Sequence, residues 1–125
     1  MPKPIGYWVK ELDRRLEAGF DRELGASGTT RRQWQVLNLL PATASEVDRS
    51  MAPFEPTAAP VVDVLVERGW ARHDEIIELT DEGAEARADI GVRVDRLRAR
   101  VVEGVSEEEY LATVQTLAKM VHNLD

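Results

Sequence analysis

Cysteine is missing from the chain, so disulfides, thiolate zinc sites and cysteine nucleophiles are excluded. Long hydrophobic runs are missing too, and none approaches the roughly 20 residues that a membrane-spanning helix needs. The opening Met1-Pro2-Lys3-Pro4-Ile5-Gly6 has neither the basic nor the apolar region of a secretory signal. A cytoplasmic protein with no membrane partner is therefore expected. Histidine occurs only at His73 and His122, without a metal-ligand spacing, and no Ser-His-Asp order, phosphate loop or dinucleotide fingerprint is present. The adjacent His73-Asp74-Glu75 would rarely converge on an ion from a hairpin. The expectation is a protein that is not an enzyme, with no catalytic residues, no metal and no cofactor.

Positive charge is also in short supply: 16 Lys and Arg against 23 Asp and Glu leave a net charge of −7. Nonspecific polyanion binding draws most of its affinity from Lys and Arg neutralising phosphates, so this balance argues against it. By region, residues 1–26 are neutral, residues 27–79 carry −3 and residues 80–125 carry −4.

What is present is enough for one folded unit: 125 residues, 43% of them hydrophobic. Trp8, Leu12, Leu16 and Phe20 recur every four residues and predict an amphipathic helix ending near Gly25. Thr30 with Gln33 makes a capping box ahead of Trp34, Val36, Leu37, Leu39 and Leu40, and Pro41 ends that second helix. Thr43 with Glu46 caps a short third helix carrying Val47 and Met51, stopped by Pro53. A fourth helix holds Val61, Val62 and Leu65 on one side, with Gly69 as its C-cap. Trp70-Ala71-Arg72 and Ile76-Ile77-Glu78-Leu79 predict a hairpin with His73-Asp74-Glu75 at its tip. Thr80 caps a long helix reaching Val102 before Gly104. Ser106 with Glu109 then opens a last helix striped by Tyr110, Val114, Leu117, Val121 and Leu124.

The order ααααββαα, mainly α with a small β-hairpin, is that of a winged helix-turn-helix between flanking helices. The chain resembles the MarR family of bacterial transcriptional regulators. The likeness is carried by Thr30 with Gln33-Trp34-Gln35-Val36-Leu37, by Leu65-Val66-Glu67-Arg68-Gly69-Trp70, by Leu79-Thr80-Asp81-Glu82-Gly83 and by Val105-Ser106-Glu107-Glu108-Glu109. They stand in the family's order and at nearly its spacing, across essentially the whole chain. The resemblance implies one MarR-like domain over residues 1–125, in which 1–26 and 84–125 form a helical dimerisation part and 27–83 the winged helix. It also implies a homodimer with intertwined first and last helices, a fourth helix in the major groove of double-stranded DNA, a wing at the minor groove and a small-molecule effector between the two parts. The apolar stripes of the first and last helices point independently to a homodimer, the alternative being that both fold back on their own chain.

Base reading in the major groove needs Arg, Lys, Asn, Gln, Ser or Thr on the outer face of the fourth helix. With Val61, Val62 and Leu65 inward, the outward residues are Thr57, Ala59, Pro60, Asp63, Val64 and Glu67. Proline is tolerated only in a first turn, so either Thr57 caps the helix with Pro60 third, or Ala59 caps it with Pro60 first. The candidate DNA contacts are Thr57, Ala58 and Ala59 at this helix start, Ser45, Arg49 and Arg68 for the phosphate backbone, and Arg72 and His73 on the wing. Arg31 and Arg32 join them. A cation in a first helical turn opposes the macrodipole at about 0.3–1 kcal/mol each, which suggests an outside anion such as phosphate, or simply solvated arginines. The candidate ligand pocket comprises Tyr7, Trp8, Leu12 and Trp34, between the first, second and fifth helices, with ordinary core or dimer packing as the competing role. Arg87, Arg93, Arg96, Arg98 and Arg100, interleaved with Glu85, Asp89 and Asp95, form a solvated face from which one arginine could meet an anionic ligand. A second functional expectation is a winged-helix dimer that has lost sequence-specific DNA reading and binds a protein or ligand.

Overall fold

The computed structural model describes residues 2–125 and contains six helices and one two-stranded sheet: α1 (Ile5–Gly25), α2 (Arg31–Leu39), α3 (Ala44–Met51), α4 (Ala59–Glu67), β1 (Ala71–His73), β2 (Ile77–Leu79), α5 (Asp81–Val101) and α6 (Glu107–Asn123). Hydroxyl caps place most of the helix starts. Thr30, Thr43, Thr80 and Ser106 each accept a hydrogen bond from the backbone N–H three residues on, and Glu46 and Glu109 return the bond to Thr43 and Ser106. The expected box at Thr30 is only half formed, because the Gln33 amide oxygen accepts instead from Arg68, 2.9 Å away.

The core draws one to three residues from every element but α6: Phe20 and Leu24, Trp34, Val36 and Leu37, Val47 and Met51, Val62 and Leu65, Ala71 and Ile77, and Ile90, Val94 and Leu97. β1 and β2 pair antiparallel, with Ala71 opposite Leu79 and His73 opposite Ile77. The tip is therefore Asp74-Glu75-Ile76, one residue later than the pattern predicts, and His73 lies in a strand. Ile77 also bonds to the α2–α3 linker, donating to the carbonyl of Ala42 at 2.8 Å and accepting from its N–H at 3.0 Å. β2 is thus held on both edges.

Two glycines fix how α4, the hairpin and α5 meet. Gly69 ends α4 at φ +77°, a conformation open to glycine, which lets Trp70 N–H reach the Leu65 carbonyl. At Gly83, in the first turn of α5, a Cβ would fall 1.9 Å from the carbonyl oxygen of Trp70, so only glycine permits this approach. The Thr80 hydroxyl donates to Gly69 O at 2.5 Å and closes the same corner.

α6 buries no residue, and Tyr110, Leu111, Val114, Met120 and Val121 are exposed along it, as is Leu124 just past its end. Ile5, Trp8, Val9 and Leu12 of α1 are exposed as well. Most of the α6 stripe and the outer half of the α1 stripe are thus uncovered by their own chain, whereas Phe20, at the inner end of the α1 stripe, is buried in the core. Among the described residues no helix is long and apolar enough to cross a membrane.

Candidate nucleic-acid interface

α4 starts at Ala59 with Pro60 at its second position, between the two alternatives the sequence allows. Its cap comes from another helix: Asp48 Oδ1 of α3 accepts from Ala58 N–H at 2.8 Å and from the Thr57 hydroxyl at 3.5 Å. Thr57 Oγ1 in turn accepts from Ala59 N–H at 3.3 Å. A carboxylate at a helix start suits both the free amides and the macrodipole, so Asp48 holds α4 at a fixed angle to α3. Nothing in the local sequence marks Asp48, because its partner lies ten residues on.

The candidate DNA contacts separate into two groups. Ser45, Arg49, Thr57, Ala59, Arg72 and His73 are exposed. Ala58 is 1% exposed and belongs to the core under α4, so it faces no groove. Arg68 turns inward too. Its guanidinium stacks 3.6 Å from the centroid of Trp70 and donates to Ser27 O at 2.7 Å, Gln33 Oε1 at 2.9 Å, and Gly28 O and Thr29 Oγ1 at 3.3 Å. Partial burial lowers its pKa from the ordinary arginine value.

The anion suggested by the arginines opening α2 is internal. Arg31 pairs with Glu17 of α1 and lies over the Phe20 ring at 4.6 Å. Arg32 lies over Phe54 at 4.7 Å, donates to Gln35 at 2.9 Å and faces Glu55 at 3.8 Å. On the hairpin, Arg72 pairs with Glu78 across the strands at 3.3 Å. Arg49 makes no ion pair among the described residues.

A cleft of about 530 Å³ adjoins the start of α2, walled by Phe20, Trp34, Leu39, Met51 and Phe54, with Arg31, Gln35, Asn38, Ser50 and Arg98 adding polar groups. Trp34 Nε1 is buried without a hydrogen-bond partner. Of the expected pocket residues only Trp34 lines this cleft. Leu12 lines a separate one of about 300 Å³ with Arg15, Leu16, Arg22, Leu97 and Arg100. Tyr7 and Trp8 pack edge to face at 5.1 Å and remain exposed, so neither walls either cleft. The four residues share no pocket because α1 carries Tyr7 and Trp8 well beyond Phe20, where it meets α2. In the sequence Phe20 and Phe54 are legible only as apolar positions.

Residues 24–125 match the helix-turn-helix family. The chain belongs to that family. Solved structures share the arrangement over nearly its full length, and the winged helix is of the MarR type. The chain superposes on CouR from Rhodococcus jostii RHA1 bound to p-coumaroyl-CoA, with TM-score 0.83 and 24% identity over 94% of this chain and 91% of that one. Transcriptional regulator PA3341 gives TM-score 0.80 and 28% identity over 97% and 98% of the two chains. The MarR-family protein Rv2887 of Mycobacterium tuberculosis, in complex with DNA, gives 0.76 and 21% over 95% and 98%.

This helix-turn-helix protein carries acidic groups around its second motif helix. Asp63 and Glu67 are exposed on α4, and Asp74 and Glu75 at the hairpin tip. Arg49, Arg72 and His73 are the exposed basic groups there.

Proposed function

We propose that the protein is a dimeric, MarR-like transcriptional regulator that binds double-stranded DNA through α4 and the hairpin and responds to a small molecule in the cleft beside α2. The observation that carries this reading is α4 itself: Asp48 caps it from α3, and Ala59, Pro60 and Asp63 stand free on its outer face. Rv2887, of like fold, was solved with DNA. The homodimer is supported by the apolar residues left bare on α1 and α6 of a single chain.

The effector reading rests on the cleft. Three aromatic rings and the guanidinium of Arg98, which makes no ion pair among the described residues, suit a molecule with an apolar body and an anionic end. CouR, of like fold, was solved with p-coumaroyl-CoA.

Selection of binding sites from a random DNA library, followed by titration at several salt concentrations, tests the DNA reading. A palindromic consensus is expected, with Arg49→Ala and Arg72→Ala weakening binding evenly across sequences. Two exposed arginines per protomer, Arg49 and the Glu78-paired Arg72, give a salt slope of at most about −4 for the dimer, shallow for a DNA-binding protein. No enrichment even at low salt defeats the reading. The acidic surround of α4 favours a second one, a dimer that binds a protein, and that same negative outcome selects it.

A further inference from the structure

We propose that α4 selects its DNA site by the 5-methyl groups of thymine, with Ala59, Pro60 and Val64 as the specificity-determining residues. The inference rests on the DNA-binding reading above and names what that helix recognises.

In a helix-turn-helix the N-terminal residues of the second helix meet the base edges. Each base pair shows a distinct pattern in the major groove: guanine offers two acceptors, adenine and cytosine offer an amine donor, and thymine offers one acceptor and a methyl group. α4 answers only part of that code. The one hydroxyl at its start, on Thr57 just ahead of the helix, faces Asp48 at 3.5 Å and accepts from the N–H of Ala59. Arg68, the nearest long donor, is turned inward onto Trp70. Guanine therefore meets no long side-chain donor on this face.

The exposed polar groups left on α4 are Asp63 and Glu67, which as carboxylates can only accept, and they suit the amines of cytosine or adenine. Ala59 and Pro60 are exposed, and Val64 is half-buried one turn beyond Pro60. At about 100° per residue Asp63 and Glu67 fall between Ala59 on one side and Pro60 and Val64 on the other, so acceptors and apolar groups share the outward face. Thymine is the base whose groove edge carries an apolar group, and its paired adenine supplies the amine that a neighbouring carboxylate can accept. A half-site of thymines with their adenines fits both features at once.

The test uses the full-length protein and the consensus obtained by selection. Affinity is measured for the consensus duplex and for the same duplex with each half-site thymine replaced by deoxyuridine, which removes only the methyl. About four-fold weaker binding per contacted methyl is expected. Pro60→Ala and Val64→Ala should bind the thymine duplex less tightly and lose the difference between thymine and deoxyuridine, while circular dichroism shows them folded. Equal affinity of the wild-type protein for the two duplexes overturns the inference and leaves the DNA-binding reading standing. So does a thymine preference that persists unchanged in both variants, or a consensus read at guanines. Failure to select any sequence defeats the DNA-binding reading, and this inference falls with it.

Discussion

The guanidinium of Arg68 lies flat against Trp70, 3.6 Å from the ring centroid, and spends its donors on the α1–α2 loop and on Gln33. One side chain at the end of α4 thus ties the helix to residues some 40 positions earlier. The stack and the charge-assisted bonds act together. Arg68→Ala should cost about 2–3 kcal/mol in urea unfolding, because it also leaves Ser27 O and Gln33 Oε1 without their donor. Arg68→Lys should recover less than half of that loss, since an ammonium offers no planar fork. A neutral outcome for Arg68→Ala would show the latch to be ornamental.

Asp48 is the second tie. Asp48→Ala leaves the Ala58 amide and the Thr57 hydroxyl without their acceptor, and should cost about 1 kcal/mol in stability. The first turn of α4 should fray, so site-specific DNA affinity should fall by more than that loss of stability alone predicts. Asp48→Asn keeps an acceptor oxygen and should be milder on both counts. Equal effects of Ala and Asn in thermal melts and DNA titrations would contradict the capping role.

Val114 and Val121 of α6 are 47% and 63% exposed in the single chain. Val114→Glu and Val121→Glu should therefore leave the fold of one chain intact while separating the copies. Light scattering should report a dimer for the wild-type protein and a monomer for the double variant, with unchanged helical signal. A monomeric wild-type protein at micromolar concentration would refute the dimer.

The carboxyls of Glu46 and Glu109 sit below their ordinary pKa of 4.5. Glu46 is lowered chiefly by the Thr43 side chain and then by its backbone N–H, and Glu109 by the backbone N–H of Ser106 and then by its side chain. Glu11 is lowered in the same direction, chiefly by its bond to Arg14. A folded-state value below the unfolded one gives stability that is fully present above the unfolded pKa and is lost as pH falls through the folded values. Urea midpoints should thus hold steady from pH 7 to about 5 and drop below that. Glu46→Gln with Glu109→Gln should flatten the acid limb, and an unaltered limb would show that other carboxyls dominate.

Most helix starts are legible in the sequence because their caps are local. Thr30, Thr43, Thr80 and Ser106 each find a partner three residues on. The start of α4 is not legible in this way, because its cap comes from Asp48 in another helix. The sequence suggests an outside anion, phosphate, for the arginines opening α2, whereas the anions beside them are carboxylates of the same chain. Glu17 lies fourteen residues earlier on α1, at a distance that only the fold closes. Ala58 lies inward rather than at the groove because a single step along the chain separates it from Ala59, and in a nine-residue helix an apolar pattern cannot settle that phase. The hairpin tip falls one residue late because pairing His73 with Ile77 buries Ile77, which neither composition nor turn chemistry dictates. The four expected pocket residues scatter for a related reason: periodicity says which side of α1 is apolar, and not where along its length α2 crosses it.

The bridge between Ala42 and Ile77 makes the hairpin a rigid outrigger. With β2 fastened to β1 on one edge and to the α2–α3 linker on the other, the wing has no hinge of its own. The same linker follows α2, whose first turn is moored to α1 by Arg31 and Glu17, so α1, α2 and the hairpin are joined by one continuous set of bonds.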